Sequence, residues 1–307
     1  MDIAHVFALL GGVACAALGG DLFVRAAVGL GRALRVSAAI VGTTIAAFAT
    51  SSPELSVAIN AAIEKQPQIA LGDALGSNVV NIALILGLAL AISPIQSPRA
   101  SVRRDFPVAL AAPVLTAILA ADGTLSRIDG FVLMAAFAAW LIAVTVQARQ
   151  ERRDAGGAAT PPAWRPMLQG TAGLIILLVA GRLIVSGGTG IADSFAISQF
   201  VMGATIVAIG TSIPELATAV IAKVRGHDDV SLGMMLGSNI FNSLWIVAVA
   251  AVVFPIELDW RQVGLALAAG VIVMIAAFPP RSGLLGRRRG AVLISLYVAY
   301  VAAVLAW

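Results

Sequence analysis

The 307-residue chain has one cysteine, Cys15, and two histidines, His5 and His227. A disulfide framework or a thiolate metal site needs more than one cysteine, so neither can form within the chain. Two histidines supply no cluster for zinc or copper, and no Ser-His relay is apparent. Charge is scarce too: Asp, Glu, Lys and Arg make up 12% of the residues, against about 25% in soluble domains. The opening MDIAH carries an acid but no Lys or Arg. It lacks the basic region of a cleaved signal, and the first apolar segment is expected to be a retained span. The sequences G-x-S-x-G and H-E-x-x-H are absent, and ALGD at 70–73 misses G-x-G-D by its first glycine. An intramembrane hydrolase, the reading from a different functional class, therefore has little support.

What fills the chain instead is apolar. Hydrophobic residues account for 60% and the mean hydropathy is +0.97, well outside the soluble range. The long apolar runs predict membrane helices rather than barrel strands. Charges, Pro and Gly divide them into ten segments: 5–28, 37–63, 69–92, 106–121, 129–147, 167–190, 197–223, 229–253, 262–278 and 290–306. The clear linker is RQERRDAGGAATPPAWRP at 149–166, too short for a folded regulatory domain.

Ten spans place both termini on one side. Sixteen of the twenty Lys and Arg residues then fall on the opposite side, leaving Lys65, Arg127, Arg182 and Arg261. By the positive-inside rule the richer side is cytoplasmic, so the termini face outward and 149–166 is cytoplasmic. The net charge of +4 is thus a topology signal and not a nucleic-acid footprint.

A shift of 161 residues superimposes GTTIAAFATSSPEL on GATIVAIGTSIPEL and LGDALGSNVVN on LGMMLGSNIFN. From Gly42 to Asn81, 18 of 40 positions are identical to their counterparts in 203–242, without a gap. The chain is internally duplicated. Five spans per half is an odd number, so the second half enters the membrane upside down. The expected fold is an all-α membrane protein of ten transmembrane helices in two inverted five-helix repeats, 1–148 and 167–307. Secondary transporters share this layout, with sites near the midplane between the repeats.

Polar residues recur on helical faces. Ala47, Thr50, Ser51 and Glu54 share one stripe, and Asp73, Ser77 and Asn81 recur at intervals of four. The second half repeats both, as Ala208, Thr211, Ser212 and Glu215, then Met234, Ser238 and Asn242. Pro53 and Pro214 lack an N–H and clash with the carbonyl four residues back, so the carbonyls of Ala49 and Gly210 are expected to lose helical partners. Two mid-membrane glutamates cost about 5–7 kcal/mol together unless protonated, paired or ion-bound. No mid-span Lys or Arg is placed to pair with Glu54 or Glu215. Such oxygens suit a divalent hard cation, two monovalent cations or protons, and lack the soft ligands that Zn²⁺ or Cu⁺ favours. Small hydroxyl residues also serve plain helix packing. Gly42, Gly76, Gly203 and Gly237 are read as close-contact positions. His227, Asp228 and Asp229 are read as a solvated loop, and Asp21–Arg25 as an i,i+4 pair.

The paired T-S-S-P-E-L / L-G-S-N-x-x-N and T-S-I-P-E-L / L-G-S-N-x-x-N motifs resemble the alpha-repeats of the calcium/cation antiporter superfamily, within it the prokaryotic sodium/calcium exchanger branch. The resemblance implies a secondary antiporter that exchanges Ca²⁺ for Na⁺ by alternating access, with a proton-coupled cation antiporter as the alternative. It implies no cofactor. It also implies ion ligands at Thr50, Ser51, Glu54, Ser77, Asn81, Thr211, Ser212, Glu215, Ser238 and Asn242, with main-chain carbonyls from Ala47 and Ala208. Spans 37–63, 69–92, 197–223 and 229–253 would form the central bundle, and the Gly-rich spans 1 and 6 would slide against it. Such exchangers often carry an aspartate where this chain has Asn242, and usually asparagine where it has Asp73. Asp73 either adds charge to the ion path or sits hydrated near the surface. The partners expected are inorganic cations and the lipid bilayer, with no nucleic acid and no obligate protein partner. The membrane expected is the prokaryotic inner membrane.

Overall fold

Inside a bilayer an apolar run must satisfy its backbone internally, and helix is the local way to do so. The computed structural model describes residues 3–156, 161–188 and 199–306. Eight of its stretches are helical, long and apolar enough to cross a membrane: Leu10–Leu34, Pro67–Ile92, Arg99–Asp122, Arg127–Asp154, Trp164–Leu183, Asp228–Val253, Trp260–Ala277 and Arg287–Leu305. Each overlaps one of the ten predicted segments.

The two predicted segments not among these eight are the ones carrying TSSPEL and TSIPEL, and both are broken. In the first, α2 (Ala38–Val41) passes through a π-helical stretch (Gly42–Ala46) into α3 (Ala47–Thr50), and α4 (Ser52–Ile63) follows. Ser51, at φ −85° and ψ 12°, makes the break. In the second, α10 (Gln199–Met202), a π stretch (Gly203–Val207) and α11 (Ala208–Thr211) precede α12 (Ile213–Val224), with the break at Ser212. Each proline sits in the first turn after the break, where its missing N–H costs nothing. The Ala49 carbonyl is not left free at the break: the Ser52 hydroxyl donates to it at 2.7 Å.

Two further π stretches, Val80–Leu86 and Asn242–Ile246, extend α5 (Pro67–Val79) into α6 (Gly87–Ile92) and α13 (Asp228–Phe241) into α14 (Val247–Val253). Short π segments are rare and concentrate at functional sites. Here they fall at matching places in the two halves. The composite helices Pro67–Ile92 and Asp228–Val253 are 78% buried along their apolar windows, whereas Arg127–Asp154 is 17% buried. The motif helices are therefore central and the others form the periphery.

Glycine lets the central helices approach. A Cβ on Gly76 would stand 2.5 Å from the Ala204 carbonyl oxygen, and one on Gly72 would meet that of Phe200. In the mirrored contact, Cβ atoms on Gly233 and Gly237 would strike the carbonyls of Ala39 and Thr43. A Cβ on Gly42 would meet the Val230 carbonyl at 2.9 Å. The surroundings of Gly203 and the stretch 189–198, including the end of the second Gly-rich run, lie outside the described residues. Each half's straight helix thus packs against the other half's broken one. The short strands exchange likewise: β1 (Ile95–Gln96) pairs with β4 (Leu284–Leu285), and β2 (Thr124–Leu125) with β3 (Ile256–Glu257).

Helix α1 (Ile3–Leu34) packs along α9 (Trp164–Gly188), with Gly19 and Gly173 in close contact. Asp21 pairs with Arg25 at 2.9 Å as expected, and also with Arg225, which ties α1 to the end of α12. Asp228 is not simply a solvated loop acid. It holds the buried Lys223 ammonium at 2.8 Å, and that ammonium also donates to the Pro94 carbonyl at 2.7 Å.

Helix α7 (Arg99–Leu119) starts earlier than the predicted span and carries the fully buried Asp105. Asp105 accepts from Arg104 at 2.7 and 2.9 Å and from the Trp140 indole at 3.1 Å, joining α7 to α8 (Arg127–Asp154). Asp105→Ala strands a mostly buried guanidinium, and the expected cost is roughly 3–5 kcal/mol. A thermal unfolding midpoint in detergent equal to wild type would contradict this assignment.

Candidate ion-binding site

The breaks in the two motif helices and the π stretches of their neighbours bring the predicted polar residues into one interior. Glu54, Glu215, Thr50, Ser51, Ser77, Asn81, Ser212, Ser238 and Asn242 are all buried, as is Asp73, while Thr211 is half-buried. The two halves interlock through these groups. The Ser51 hydroxyl donates to Glu215 Oε1 at 3.1 Å across the halves, and Ser238 donates to the same oxygen at 3.3 Å. Thr211 donates to Asp73 Oδ1 at 3.0 Å, and Ser77 donates to the same oxygen at 3.5 Å. Ser77 and Thr211 both approach the Ala208 carbonyl, at 3.5 and 3.3 Å. In the other half Thr50 donates to the carbonyls of Ala46 and Ala47 at 3.0 and 3.4 Å.

What stays unpaired matters more. Among the described residues fifteen buried side-chain oxygen and nitrogen atoms lack a hydrogen-bond partner, and nine belong here. They are both oxygens of Glu54, one each of Glu215, Asp73 and Ser212, and both terminal atoms of Asn81 and Asn242. An orphaned buried polar atom costs about 1–3 kcal/mol. Such concentration in one place marks oxygens held ready for something the protein itself does not supply. Glu54 lies within electrostatic reach of both Glu215 and Asp73, so the three carboxylates repel one another when ionised, and a cation between them relieves that repulsion. Among the described residues no three His, Cys, Asp or Glu side chains converge as a ready-made metal cluster. The interior offers few carboxylates and many neutral oxygens, the donor set of hard cations.

A fold of this architecture can be compared with known proteins. The family model for the sodium/calcium exchanger protein matches residues 4–146 and 167–306, most of the chain. The chain belongs to the sodium/calcium exchanger family. It is 32% identical to the putative antiporter CaxA of Alkalimonas amylolytica, over 98% of each chain. It is 34% identical to the inner membrane protein YrbG of Escherichia coli K12, over 92% of this chain and 91% of that one. A solved structure of the sodium-calcium exchanger NCX_Mj, soaked with Na⁺ and Sr²⁺, superimposes with a TM-score of 0.83. Its sequence is 31% identical, over 98% of this chain and 99% of that one. The prokaryotic exchanger branch expected from the motifs is the branch these relatives represent.

Within this family member, the structure settles two matters that the sequence left open. Asp73 is fully buried and paired with Thr211 and Ser77, which rules out the hydrated surface position. Its four-residue spacing to Ser77 was the available signal. The asparagine that ends each G-S-N run, Asn78 and Asn239, also lies at the seam between the halves. Asn78 donates to Ser243 at 2.7 Å, and Asn239 to the Asn78 carbonyl at 3.1 Å, riveting the halves together. Only the duplication of G-S-N hinted at them.

Proposed function

We propose that this chain is a secondary antiporter that exchanges Ca²⁺ for Na⁺ by alternating access, turning over no chemical substrate. The observation that carries this reading is the set of orphaned oxygens around Glu54, Glu215 and Asp73, buried between the two halves. Ca²⁺ takes several oxygens of mixed type, and Na⁺ is served by the same hard donors. The two ions then compete for overlapping ligands. Glu54 and Glu215 supply charge, Thr50, Ser51, Ser77, Asn81, Thr211, Ser212, Ser238 and Asn242 supply neutral oxygens, and Ala47 and Ala208 supply carbonyls. Asp73 adds a third carboxylate in one half, where its counterpart Met234 is apolar. The acid absent at Asn242 is thereby offset from another position.

The chain carries ten membrane segments, eight continuous and two broken, arranged as inverted repeats 1–148 and 167–307 around the linker 149–166. The mirrored glycine contacts and exchanged strand pairs support this arrangement. The Lys and Arg distribution supports a cytoplasmic linker with both termini outside, the membrane being a prokaryotic inner membrane. Helices α1 and α9, coupled at Gly19 and Gly173, move together against the central bundle to expose the site to either side.

Flux in proteoliposomes tests the reading. Ca²⁺ uptake is expected to follow a Na⁺ gradient directed outward and to stop when that gradient is collapsed. Uptake that ignores Na⁺ and follows a pH gradient would replace Na⁺ with H⁺ as the coupling ion.

A further inference from the structure

Away from the ion site, a cavity of about 630 Å³ opens where α7 begins and α15 (Trp260–Ala277) has just ended. It is bounded by Ser97, Arg99, Arg103, Phe278, Pro280 and Arg281, among others, and no Asp or Glu lines it. The three arginines are exposed. None is needed by the ion path, and all lie on the face that carries most of the Lys and Arg. A topological signal asks only for cations near the membrane. It does not ask for a recess, nor for what lies in it.

Two further features belong to its lining. Helix α7 is 21 residues long and starts after Pro98, which offers no side-chain cap, so its first N–H groups are available to an anion. Ser97 is 3% exposed, and its hydroxyl is buried without a hydrogen-bond partner. Its backbone is fixed by donation to the Gly283 carbonyl at 2.9 Å. A buried hydroxyl, a helix start and three guanidinium groups make a donor set for a phosphate group, which arginine can grip with two parallel hydrogen bonds.

We propose that this cavity binds the phosphate headgroup of an anionic phospholipid. Its position at the ends of two apolar helices favours a lipid over a free anion. Two membrane-length helices terminate at it, and Ile272 and Ile275 on α15 are exposed just before the cavity, offering an apolar track for an acyl chain. The volume falls in the range of small-molecule sites.

Native mass spectrometry of the full chain in detergent tests this, titrating phosphatidylglycerol, phosphatidylcholine or inorganic phosphate. Wild type is expected to retain phosphatidylglycerol in preference to phosphatidylcholine. Arg103→Gln with Arg281→Gln is expected to weaken that binding about tenfold or more, since each basic group near an anionic lipid is worth roughly a factor of five. Ser97→Ala is expected to weaken it about threefold, through one lost hydrogen bond. Arg288→Gln, outside the cavity, serves as the control and stays within about twofold of wild type. An unchanged Arg103/Arg281 variant overturns the site, as does an equal loss in the Arg288 control, which would mean diffuse surface charge. Displacement of the lipid by equimolar inorganic phosphate overturns the lipid assignment. Should the double variant fail to fold, the Ser97→Ala comparison decides alone.

Discussion

Glu54→Gln and Glu215→Gln are each expected to abolish Na⁺-driven Ca²⁺ uptake while leaving the protein folded. Both carboxylates are fully buried, so each acts at low effective dielectric, where removing one partner of a charge pair costs roughly 3–5 kcal/mol. That is a loss of about two to three and a half orders of magnitude in ion affinity. The stability arm has the opposite sign. Without an ion, two oxygens of Glu54 and one of Glu215 are buried and unpaired, and the neutral amide avoids the penalty of burying an ionised carboxylate there. The unfolding midpoint of the ion-free variants should therefore match or exceed that of wild type.

What the variants lose is stabilisation by Ca²⁺, about 2.7 kcal/mol at a hundredfold excess over Kd for a protein that binds it. A general folding defect would lower the midpoint in both conditions. Asp73→Asn should fall between wild type and the glutamate variants, because Thr211 and Ser77 occupy one of its oxygens and only the other is orphaned. Full Ca²⁺ uptake by either glutamine variant would reject the site.

The second large effect is on assembly. Gly76→Ala and Gly237→Ala are expected to destabilise the protein strongly, and valine at either position to prevent a folded exchanger. In a free helix alanine is favoured over glycine by about 1 kcal/mol. Here that gain is overtaken, because the added carbon would stand 2.5 Å from the Ala204 carbonyl oxygen and 2.7 Å from its Cα. At Gly237 the obstacles are the Thr43 carbonyl and the Ala47 Cβ, the latter at 2.7 Å. Backbone cannot swing aside as a side chain can, and overpacking of a core typically costs about 1–3 kcal/mol.

Separating these helices also pulls Ser77 from Ala208 and Asn78 from Ser243, so ion exchange should fail along with stability. Gly11→Ala is the control, since nothing lies within 4 Å of its added carbon, and it should be neutral or slightly stabilising. Thermal unfolding with and without Ca²⁺ reads both effects. Equal midpoints for Gly237→Ala and Gly11→Ala would refute the close-contact account.

Hydropathy alone determined that this chain is a bundle of membrane helices, because an apolar backbone in lipid has to satisfy its own hydrogen bonds. Duplication of the TSSPEL/TSIPEL and LGSN motifs around two glutamates with no basic partner located the polar interior from the sequence alone, since an acid at membrane depth is too costly to persist unused. The sequence also indicated where two helices break, through Pro53 and Pro214. It could not say that the Ser52 hydroxyl would occupy the carbonyl that Pro53 displaces, because a local pattern does not report which rotamer a side chain adopts.

The π stretches at Asn81 and Asn242, the burial of Asp73 against Thr211 of the other half, and the Asn78–Ser243 rivet were all decided in three dimensions. The last two join residues more than 130 positions apart, brought together where Gly72, Gly76, Gly233 and Gly237 let backbones meet. One-dimensional spacing places a residue on a face of its own helix. Only the packing of that helix against its counterpart in the other half decides which oxygens it meets.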